Sequence, residues 1–282
     1  MTLTTLVDTE TLFRHLDDPR WVVVDCRFSL ADPGAGRRAY DAGHIPGARY
    51  AHLDEDLSSP ITPVTGRHPL PSPNALAEKL GRWGIDKNSQ VVVYDDTFGA
   101  MASRLWWLLR WLGHDAVALL DGGFPKWQRE GRPITPELPA VQSVPFHATI
   151  HNALCVDTEQ VETMQRTGHG VLVDARADER FRGEIEPIDK VAGHIPGAIN
   201  MPYEDNLDFS GEFMSDEALR EHYLAAIGNI APAEVVHMCG SGVTACHNIL
   251  AMEHAGLPGA KLYAGSWSEW ITNPDRPVVK GE

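Results

Sequence analysis

The feature that most constrains this 282-residue chain is that its second half repeats its first half. The block Gly43-His-Ile-Pro-Gly-Ala48 recurs letter for letter as Gly193-His-Ile-Pro-Gly-Ala198, 150 residues later (193 − 43). The block Val22-Val-Val-Asp-Cys-Arg27 recurs as Val171-Leu-Val-Asp-Ala-Arg176, 149 residues later (174 − 25). Two further pairs of blocks follow in the same order, 91–95 with 235–239 and 121–127 with 264–270. An ordered set of matches at a nearly constant offset indicates a duplicated domain.

Each half alternates short runs of β-branched residues with segments of helical periodicity, which is typical of an α/β fold. We therefore predict two tandem α/β domains, each with a mainly parallel sheet flanked by helices. The predicted strands are 21–24, 91–94 and 116–120 in the first half, and 170–173, 235–238 and 260–263 in the second. Helices are predicted over 103–113 and 244–252, and the predicted helix N-caps are Asp8 and Asp157.

The two copies are joined by a proline-rich stretch. Prolines at positions 133, 136, 139 and 145 predict a stiff, extended linker, and we place the domain boundary after residue 146. The predicted domains are therefore 1–146 and 147–282. Residues 53–73 form a second long connection, rich in Pro, Ser and Thr, that has no counterpart in the second copy. Such a long connection without periodicity is expected to have a function of its own.

Charge and composition exclude several classes of partner. The formal net charge of −15 argues against nucleic acid or an anionic membrane as a partner. The sequence contains no apolar run long enough to span a bilayer, and it starts without the features of a signal peptide. We therefore expect a cytoplasmic protein. The four cysteines form no C-x-x-C pair and no cluster with metal-ligand spacing, so no metal is expected.

Cys239 is the residue for which the sequence most strongly indicates a catalytic role. It follows the apolar strand 235–238 and precedes Gly240-Ser241-Gly242 and a predicted helix. At a helix N-terminus, backbone N–H groups and partial positive charge favour a thiolate and can hold an anion that the thiolate attacks. A buried structural cysteine is the alternative, but the small residues after Cys239 let backbone N–H groups converge on its sulfur.

These repeated blocks and the cysteine loop resemble the tandem rhodanese-domain sulfurtransferases over essentially the whole chain. The resemblance implies two tandem rhodanese-like domains and a sulfur-transfer reaction through a Cys239 persulfide. The loop Cys239-Gly-Ser-Gly-Val-Thr-Ala245 is similar to that of the 3-mercaptopyruvate branch, whereas the thiosulfate branch carries basic side chains after the cysteine. The resemblance implies that the loop residues Gly240, Gly242, Val243 and Thr244 bind the substrate.

The resemblance also implies basic residues that bind the donor carboxylate. Arg180 aligns with an arginine that the family carries after its Asp-x-Arg motif, and Arg182 is a further candidate. A guanidinium matches a carboxylate in both geometry and charge. The mercaptopyruvate branch usually has another arginine just downstream, where this chain has Lys190. Lys190 is the only basic residue in that stretch that is a candidate for the place of this arginine, and the sequence does not decide whether it takes that place.

An Asp/His/Ser set is implied as the group that moves a proton in the mercaptopyruvate branch. Asp54, His68 and Ser241 occupy the matching motif positions. Cleavage of the C–S bond leaves an enolate carbon that must be protonated, so such a set is chemically coherent. The alternative for His68 is an ordinary loop histidine.

The first copy provides an internal comparison, because Asp95 stands where the second copy has Cys239. A carboxylate is not a sulfur nucleophile, so we expect the first domain to be catalytically silent and Asp95 to be a cap or an interdomain hydrogen-bond acceptor. With Asp96-Thr-Phe98 in place of Gly-Ser-Gly, we also expect the first loop not to form an anion cradle. The pairs Asp25/Arg27 and Asp174/Arg176 occur in both copies and are therefore expected to be architectural.

Three functional alternatives remain open. The preferred hypothesis is transfer of sulfur from 3-mercaptopyruvate, a small anionic donor, to cyanide, a thiol or a thioredoxin-like protein, without any cofactor. A thiosulfate sulfurtransferase and a non-catalytic sulfur-relay module are the alternatives. A cysteine phosphatase would need an arginine at position 245 in a C-x5-R pattern, and this chain has Ala245 there.

Overall fold

The computed structural model describes residues 2–281, which form two units with one five-stranded parallel sheet each. The first unit comprises residues 2–59, 70–151 and 210–212, and the second comprises 60–69, 152–209 and 213–281. Along the linker the chain changes unit between His151 and Asn152, five residues beyond the predicted start at 147. The segment 60–69 lies within the long connection 53–73, so part of that connection belongs to the second unit.

The first unit has a sheet with the strand order β1-β5-β4-β2-β3, in which all neighbours are parallel. Its strands are β1 (Leu6–Val7), β2 (Trp21–Asp25), β3 (Arg49–Tyr50), β4 (Gln90–Tyr94) and β5 (Val117–Leu120). Its helices are α1 (Thr9–Arg14), α2 (Ala35–Ala42), α3 (Pro73–Arg82), α4 (Ala102–Trp111) and α5 (Gly123–Arg129).

The second unit repeats this topology, with the order β6-β10-β9-β7-β8 and parallel neighbours throughout. Its strands are β6 (Cys155–Val156), β7 (Val171–Asp174), β8 (Ile199–Asn200), β9 (Val235–Met238) and β10 (Lys261–Tyr263). Its helices are α6 (Thr158–Thr167), α7 (Asp178–Phe181), α8 (Asp216–Ile227), α9 (Ala245–His254) and α10 (Ser266–Trp270). Three short 3₁₀ turns lie at Asn152–Leu154, Tyr203–Asn206 and Pro232–Glu234.

The predicted fold class is confirmed, and the long strands lie within one or two residues of their predicted bounds. Asp8 and Asp157 are N-caps, since their carboxylates accept the N–H groups of Thr11 and Gln160. The two-residue strands β1, β3, β6 and β8 were not predicted, because a period of two cannot be read from two residues.

An Asp–Arg ion pair lies at the end of the second strand of each sheet, with the same geometry in both units. Arg27 donates from Nη2 to Asp25 at 2.6 Å and to the carbonyl of Gly43 at 2.8 Å. Arg176 makes the same contacts with Asp174 and Gly193, at 2.6 and 2.8 Å. The pair therefore joins the strand end to the repeated Gly-His-Ile-Pro-Gly turn, which agrees with an architectural role.

The central strands of both sheets are buried on both faces, as expected of parallel sheets covered by helices. The second core contains one ionisable member on β9, His237, which is fully buried between the sheet and its helices. Burial lowers the pKa of His237 to about 3, so the imidazole is neutral in the folded protein at neutral pH. None of the helices formed by residues 2–281 combines the length and apolar character that crossing a bilayer requires.

We predict that His237 makes the protein sensitive to mild acid. Below about pH 6.5 the unfolded chain binds a proton at this imidazole and the folded protein does not, so the free energy of unfolding falls. Between about pH 7.5 and pH 5 the free energy of unfolding should therefore fall by about 2 kcal/mol less in His237→Leu than in the wild-type protein. Urea unfolding at both pH values measures this difference. The same substitution at His147, which is exposed, is the control, and an equal effect of both variants would contradict the prediction.

Candidate active site

Cys239 lies directly beyond β9, at the carboxyl end of a central strand of the second sheet. Its neighbour Met238 pairs with Asp174, so the thiol lies next to the architectural Asp–Arg pair. The side chain is buried, and its Sγ accepts the N–H of Gly242 at 3.2 Å. Helix α9 begins at Ala245, six residues after the cysteine. The loop therefore directs the N–H of Gly242 at the sulfur and places the thiol a few residues before the N-terminus of α9.

Gly242 is required by the shape of the loop. Its φ is +76°, and a β-carbon placed on it would lie 2.5 Å from the carbonyl oxygen of Ala264. No side chain fits at that distance, and a positive φ is unfavourable for other residues. The close approach of the two backbones brings the N–H of Gly242 to Sγ.

The loop is anchored by the start of α10. The N–H of Cys239 donates to Ser266 Oγ at 3.1 Å, and Ser266 Oγ donates to the carbonyl of Tyr263 at 2.9 Å. The carbonyl oxygens of Cys239 and Gly240 accept N–H groups from Trp267 and Ser268, both at 3.0 Å. These bonds fix the backbone on both sides of the thiol.

The structure brings His68 and Ser241 together. His68 Nδ1 and Ser241 Oγ are 2.7 Å apart, and both side chains are almost completely buried. His68 lies in the segment 60–69, which belongs to the second unit although it comes from the first half of the sequence. An imidazole joined to a hydroxyl two residues after the thiol can deliver or accept a proton at the site.

Asp54, the third member of the implied set, lies in the first unit. Its side chain is exposed, and its backbone N–H donates to His52 Nδ1 at 3.2 Å. Burial of part of the carboxyl group raises the pKa of Asp54 above its ordinary value.

Arg180 belongs to a chain of alternating ion pairs, which we call the ion-pair chain. Arg176 contacts Glu186 at 3.5 Å, and Arg180 Nη2 donates to Glu186 at 2.9 Å and to Asp189 at 3.1 Å. Arg67, from the segment 60–69, is paired with the same Asp189. The members of the ion-pair chain are Asp174, Arg176, Glu186, Arg180, Asp189 and Arg67.

Burial disfavours the charged forms of Glu186 and Asp189, the two carboxylates of the ion-pair chain that Arg180 contacts. It raises the pKa of Asp189 above its ordinary value, even though Arg67 and Arg180 lower it. Burial also acts to raise the pKa of Glu186, but N–H donors from Asp189 and Ile188, together with Arg180, hold it below its ordinary value.

The two guanidinium groups of Arg67 and Arg180 converge over Gly240, the residue after the thiol. A β-carbon placed on Gly240 would lie 2.7 Å from Arg67 Nη2 and 3.5 Å from Arg180 Nη2. The guanidinium groups of these two residues, which come from other segments of the second unit, therefore border the space that a side chain at position 240 would occupy. Arg67 Nε is buried and has no hydrogen-bond partner among the residues that the structure describes.

The other predicted binding residues lie in different surroundings. Arg182 forms exposed ion pairs with Glu184 at 2.8 Å and Asp178 at 3.7 Å. Lys190 is exposed and lines a cavity of about 430 Å³ together with Arg67 and Asp189.

Two further predicted loop residues, Val243 and Thr244, lead into α9. Val243 is buried and its carbonyl accepts the N–H of Cys246 at 3.0 Å, while Thr244 is the N-cap residue of the helix. Both therefore shape the start of the helix behind the thiol.

The corresponding loop of the first unit does form an anion cradle, contrary to our expectation. The carboxylate of Asp95 accepts four backbone N–H groups, from Thr97, Gly99, Met101 and Ala102, at 2.7–2.9 Å. Asp95 is fully buried, which raises the pKa of its carboxyl group, and these four bonds oppose that rise. The expectation rests on the side chains of the loop, whereas the cradle is made by its backbone. Asp95 is a hydrogen-bond acceptor, as expected, and these four donors lie in its own loop and at the start of α4.

Sequence reasoning missed Arg67 and Asp189. Arg67 precedes His68, but nothing in that pattern connects it with a residue 122 positions away. The small size of Gly240 was the available signal, because an absent side chain beside a nucleophile leaves room for a group from another segment.

The arrangement is suited to a small anion and a sulfur nucleophile. It combines a buried thiol, a backbone N–H donor on its sulfur, a hydroxyl–imidazole pair and two guanidinium groups. Such a set can orient a carboxylate, cleave a bond to sulfur and move a proton.

Comparison with known proteins agrees with this chemistry. Residues 8–130 and 157–273 match the family model of the rhodanese-like domain. A Pseudomonas aeruginosa protein named as a probable 3-mercaptopyruvate sulfurtransferase is 48% identical over 279 residues, which cover 98% of each chain. A Mycobacterium tuberculosis protein with the provisional name thiosulfate sulfurtransferase SseB is 41% identical, over 92% of this chain and 90% of its own.

Among solved structures, SseA from Escherichia coli, described as a 3-mercaptopyruvate sulfotransferase with the rhodanese fold, superposes with a TM-score of 0.80. The two chains are 31% identical, and the match covers 95% of this chain and all of SseA.

We predict that Gly242 is needed for the loop to form. Gly242→Ala should lower the free energy of unfolding by about 2 kcal/mol more than Gly197→Ala. Gly197 is the matched control, because its φ is +82° and a β-carbon there meets nothing within 4 Å. Both variants carry the cost of a positive φ, and only Gly242→Ala adds the contact with Ala264. Urea unfolding compares them, and equal losses would show that the contact is relieved without cost.

Proposed function

Since this chain belongs to the rhodanese-like domain family and is a sulfurtransferase, we propose that 3-mercaptopyruvate is its sulfur donor and that Cys239 carries the sulfur as a persulfide. The observation that carries this proposal is the 2.7 Å contact between His68 and Ser241, two residues after the thiol. Removing sulfur from a carbon atom needs a proton for that carbon, whereas removing sulfur from a sulfite group needs none.

In the first step the Cys239 thiolate attacks the sulfur of the donor. An S–S bond forms, the C–S bond breaks, and the electron pair of that bond goes to carbon 3, which becomes the enolate of pyruvate. Ser241 and His68 supply the proton that converts this enolate to pyruvate. The N–H of Gly242, which donates to Cys239 Sγ, stabilises the negative charge on the sulfur during this step.

In the second step a thiophilic acceptor attacks the outer sulfur of the persulfide, and Cys239 leaves as a thiolate. Cyanide, a small thiol or a reduced thioredoxin-like protein has the required chemistry. The charge of Arg180, beside Gly240, supports its role as the group that holds the donor carboxylate. Ser241, His68 and Cys239 thus act on the reacting end of the donor, and Arg180 acts on the other end.

Thiosulfate is the second candidate donor, and one observation favours it. The residues that follow Cys239 in the loop carry no basic side chain, yet Arg67 and Arg180 from other segments both lie within reach of position 240. A relative with a thiosulfate name is consistent with this alternative. In that reaction sulfite leaves with the electron pair of the S–S bond.

The first domain is proposed to be silent, with residues 1–146 and 147–282 as the two domains. The support is that Asp95 fills the first cradle with its own carboxylate, which occupies four of the N–H groups there. The expected cytoplasmic location and the roles of Asp54, Arg182 and Lys190 stay predictions.

We predict that Cys239→Ser abolishes sulfur transfer. Cys26, Cys155 and Cys246 are the controls, and changing each of them to Ser should leave most of the activity. Mass spectrometry after treatment with the donor should find about 32 Da added to the peptide that contains Cys239, as a covalent intermediate requires. A persulfide on a different cysteine would contradict the assignment.

We also predict that kcat/KM for 3-mercaptopyruvate exceeds that for thiosulfate at least about tenfold, or about 1.4 kcal/mol.

His68→Ala should lower the mercaptopyruvate rate by about 10²-fold and leave any thiosulfate rate nearly unchanged, since only the first reaction protonates a carbon. Ser241→Ala combined with His68→Ala should cost little more than either change alone, because the two groups act as a unit. His169→Ala, at an exposed histidine, is the control. Equal losses with both donors would overturn the proton-transfer role.

A further inference from the structure

Asp189 occupies a position between two guanidinium groups beside the candidate nucleophile. Only 5% of its side chain is exposed, and it pairs with Arg180 at 3.1 Å and with Arg67. Arg67 is 24% exposed, and its Nη2 lies nearest to the space over Gly240. Asp189 is therefore paired with the guanidinium group that lies nearest to that space.

The ion-pair chain is electrically neutral, because its three carboxylates balance its three guanidinium groups. Lys190 adds a positive charge nearby, but its exposure to water screens that charge strongly. A neutral cluster with fixed guanidinium groups can still form hydrogen bonds with one carboxylate. It offers little net attraction to a second negative charge.

We propose that Asp189 is a specificity-determining residue, which neutralises Arg67 and thereby restricts the site to donors with a single negative charge. 3-Mercaptopyruvate has one carboxylate, whereas thiosulfate is a compact dianion. The proposal rests on the proposed function for the identity of the reaction. It adds that the choice of donor is set by a residue outside the Cys239 loop.

Coulomb's law gives the expected direction of the effect. Removal of one negative charge at a fixed distance stabilises a dianion twice as much as a monoanion. Asp189→Asn keeps the size of the side chain and one oxygen acceptor, but leaves Arg67 with its full charge. This change should therefore favour thiosulfate more than mercaptopyruvate, even where both donors bind more tightly.

The test measures kcat/KM for both donors on the full-length chain, with cyanide as the acceptor. For Asp189→Asn, the ratio of thiosulfate to mercaptopyruvate should rise at least about tenfold, and the gain should shrink as ionic strength increases. Arg67→Gln should move the ratio in the opposite direction. The double variant has the wild-type charge, so its ratio should return to within about threefold of the wild-type value.

Glu184→Gln is the matched control, because it removes one carboxylate from the same stretch of chain at an exposed position. It should change the ratio by less than about twofold. An unchanged or lowered ratio in Asp189→Asn would overturn the proposal, as would an equal effect of Glu184→Gln. Should Asp189→Asn fail to fold, Arg67→Gln decides alone, and a ratio that does not fall contradicts the proposal.

The two proposals fail in different ways. The donor that the wild-type chain prefers tests the proposed function. The response of the donor ratio to the charge at position 189 tests the inference, whichever donor the wild-type chain prefers.

Discussion

The structure depends on the buried Asp–Arg pair at the end of the second strand of each sheet. Arg176 is held by Asp174 and donates to the carbonyl of Gly193, so one guanidinium joins the sheet to the turn beside it. Loss of one partner from a buried pair typically costs about 3–5 kcal/mol, because the other charge is left without compensation. In the second unit Arg176 also contacts Glu186, which begins the ion-pair chain that reaches Gly240. The pair that stabilises the fold therefore also positions the charges at the candidate active site.

The duplicated loops show two outcomes of the same backbone architecture. In the first unit four N–H groups converge on Asp95, and the buried carboxylate is satisfied within its own loop. In the second unit the corresponding residue is a thiol, which accepts the N–H of Gly242. A carboxylate completes the cradle permanently, whereas a cysteine can take up and release a further atom. The two copies thus share a topology and differ in the group that their loops hold, a carboxylate in the first and a thiol in the second.

Much of the fold could be predicted because the repeat marks its elements twice. The central strands are continuous β-branched runs, and Cys239 lies in a contiguous stretch that carries its own chemistry. The edge strands Leu6–Val7 and Cys155–Val156 are too short to have a detectable period. The contact of Arg67 with Asp189 joins residues 122 positions apart, and no local pattern reports such a separation. The cradle around Asp95 was predicted wrongly, since backbone N–H groups do not depend on the identity of the side chains that follow them.

The segment 60–69 has a consequence for the history of the chain. It is encoded in the first copy, but it belongs to the second unit, where it places Arg67 and His68 beside the Cys239 loop. Each half of the sequence contributes residues to the other unit, 60–69 from the first half and 210–212 from the second. The two copies are therefore not interchangeable. The nucleophile and its imidazole therefore come from opposite sides of the linker in the sequence. Duplication of a domain therefore does not by itself produce this site, because ten residues of the first copy complete it in the second unit.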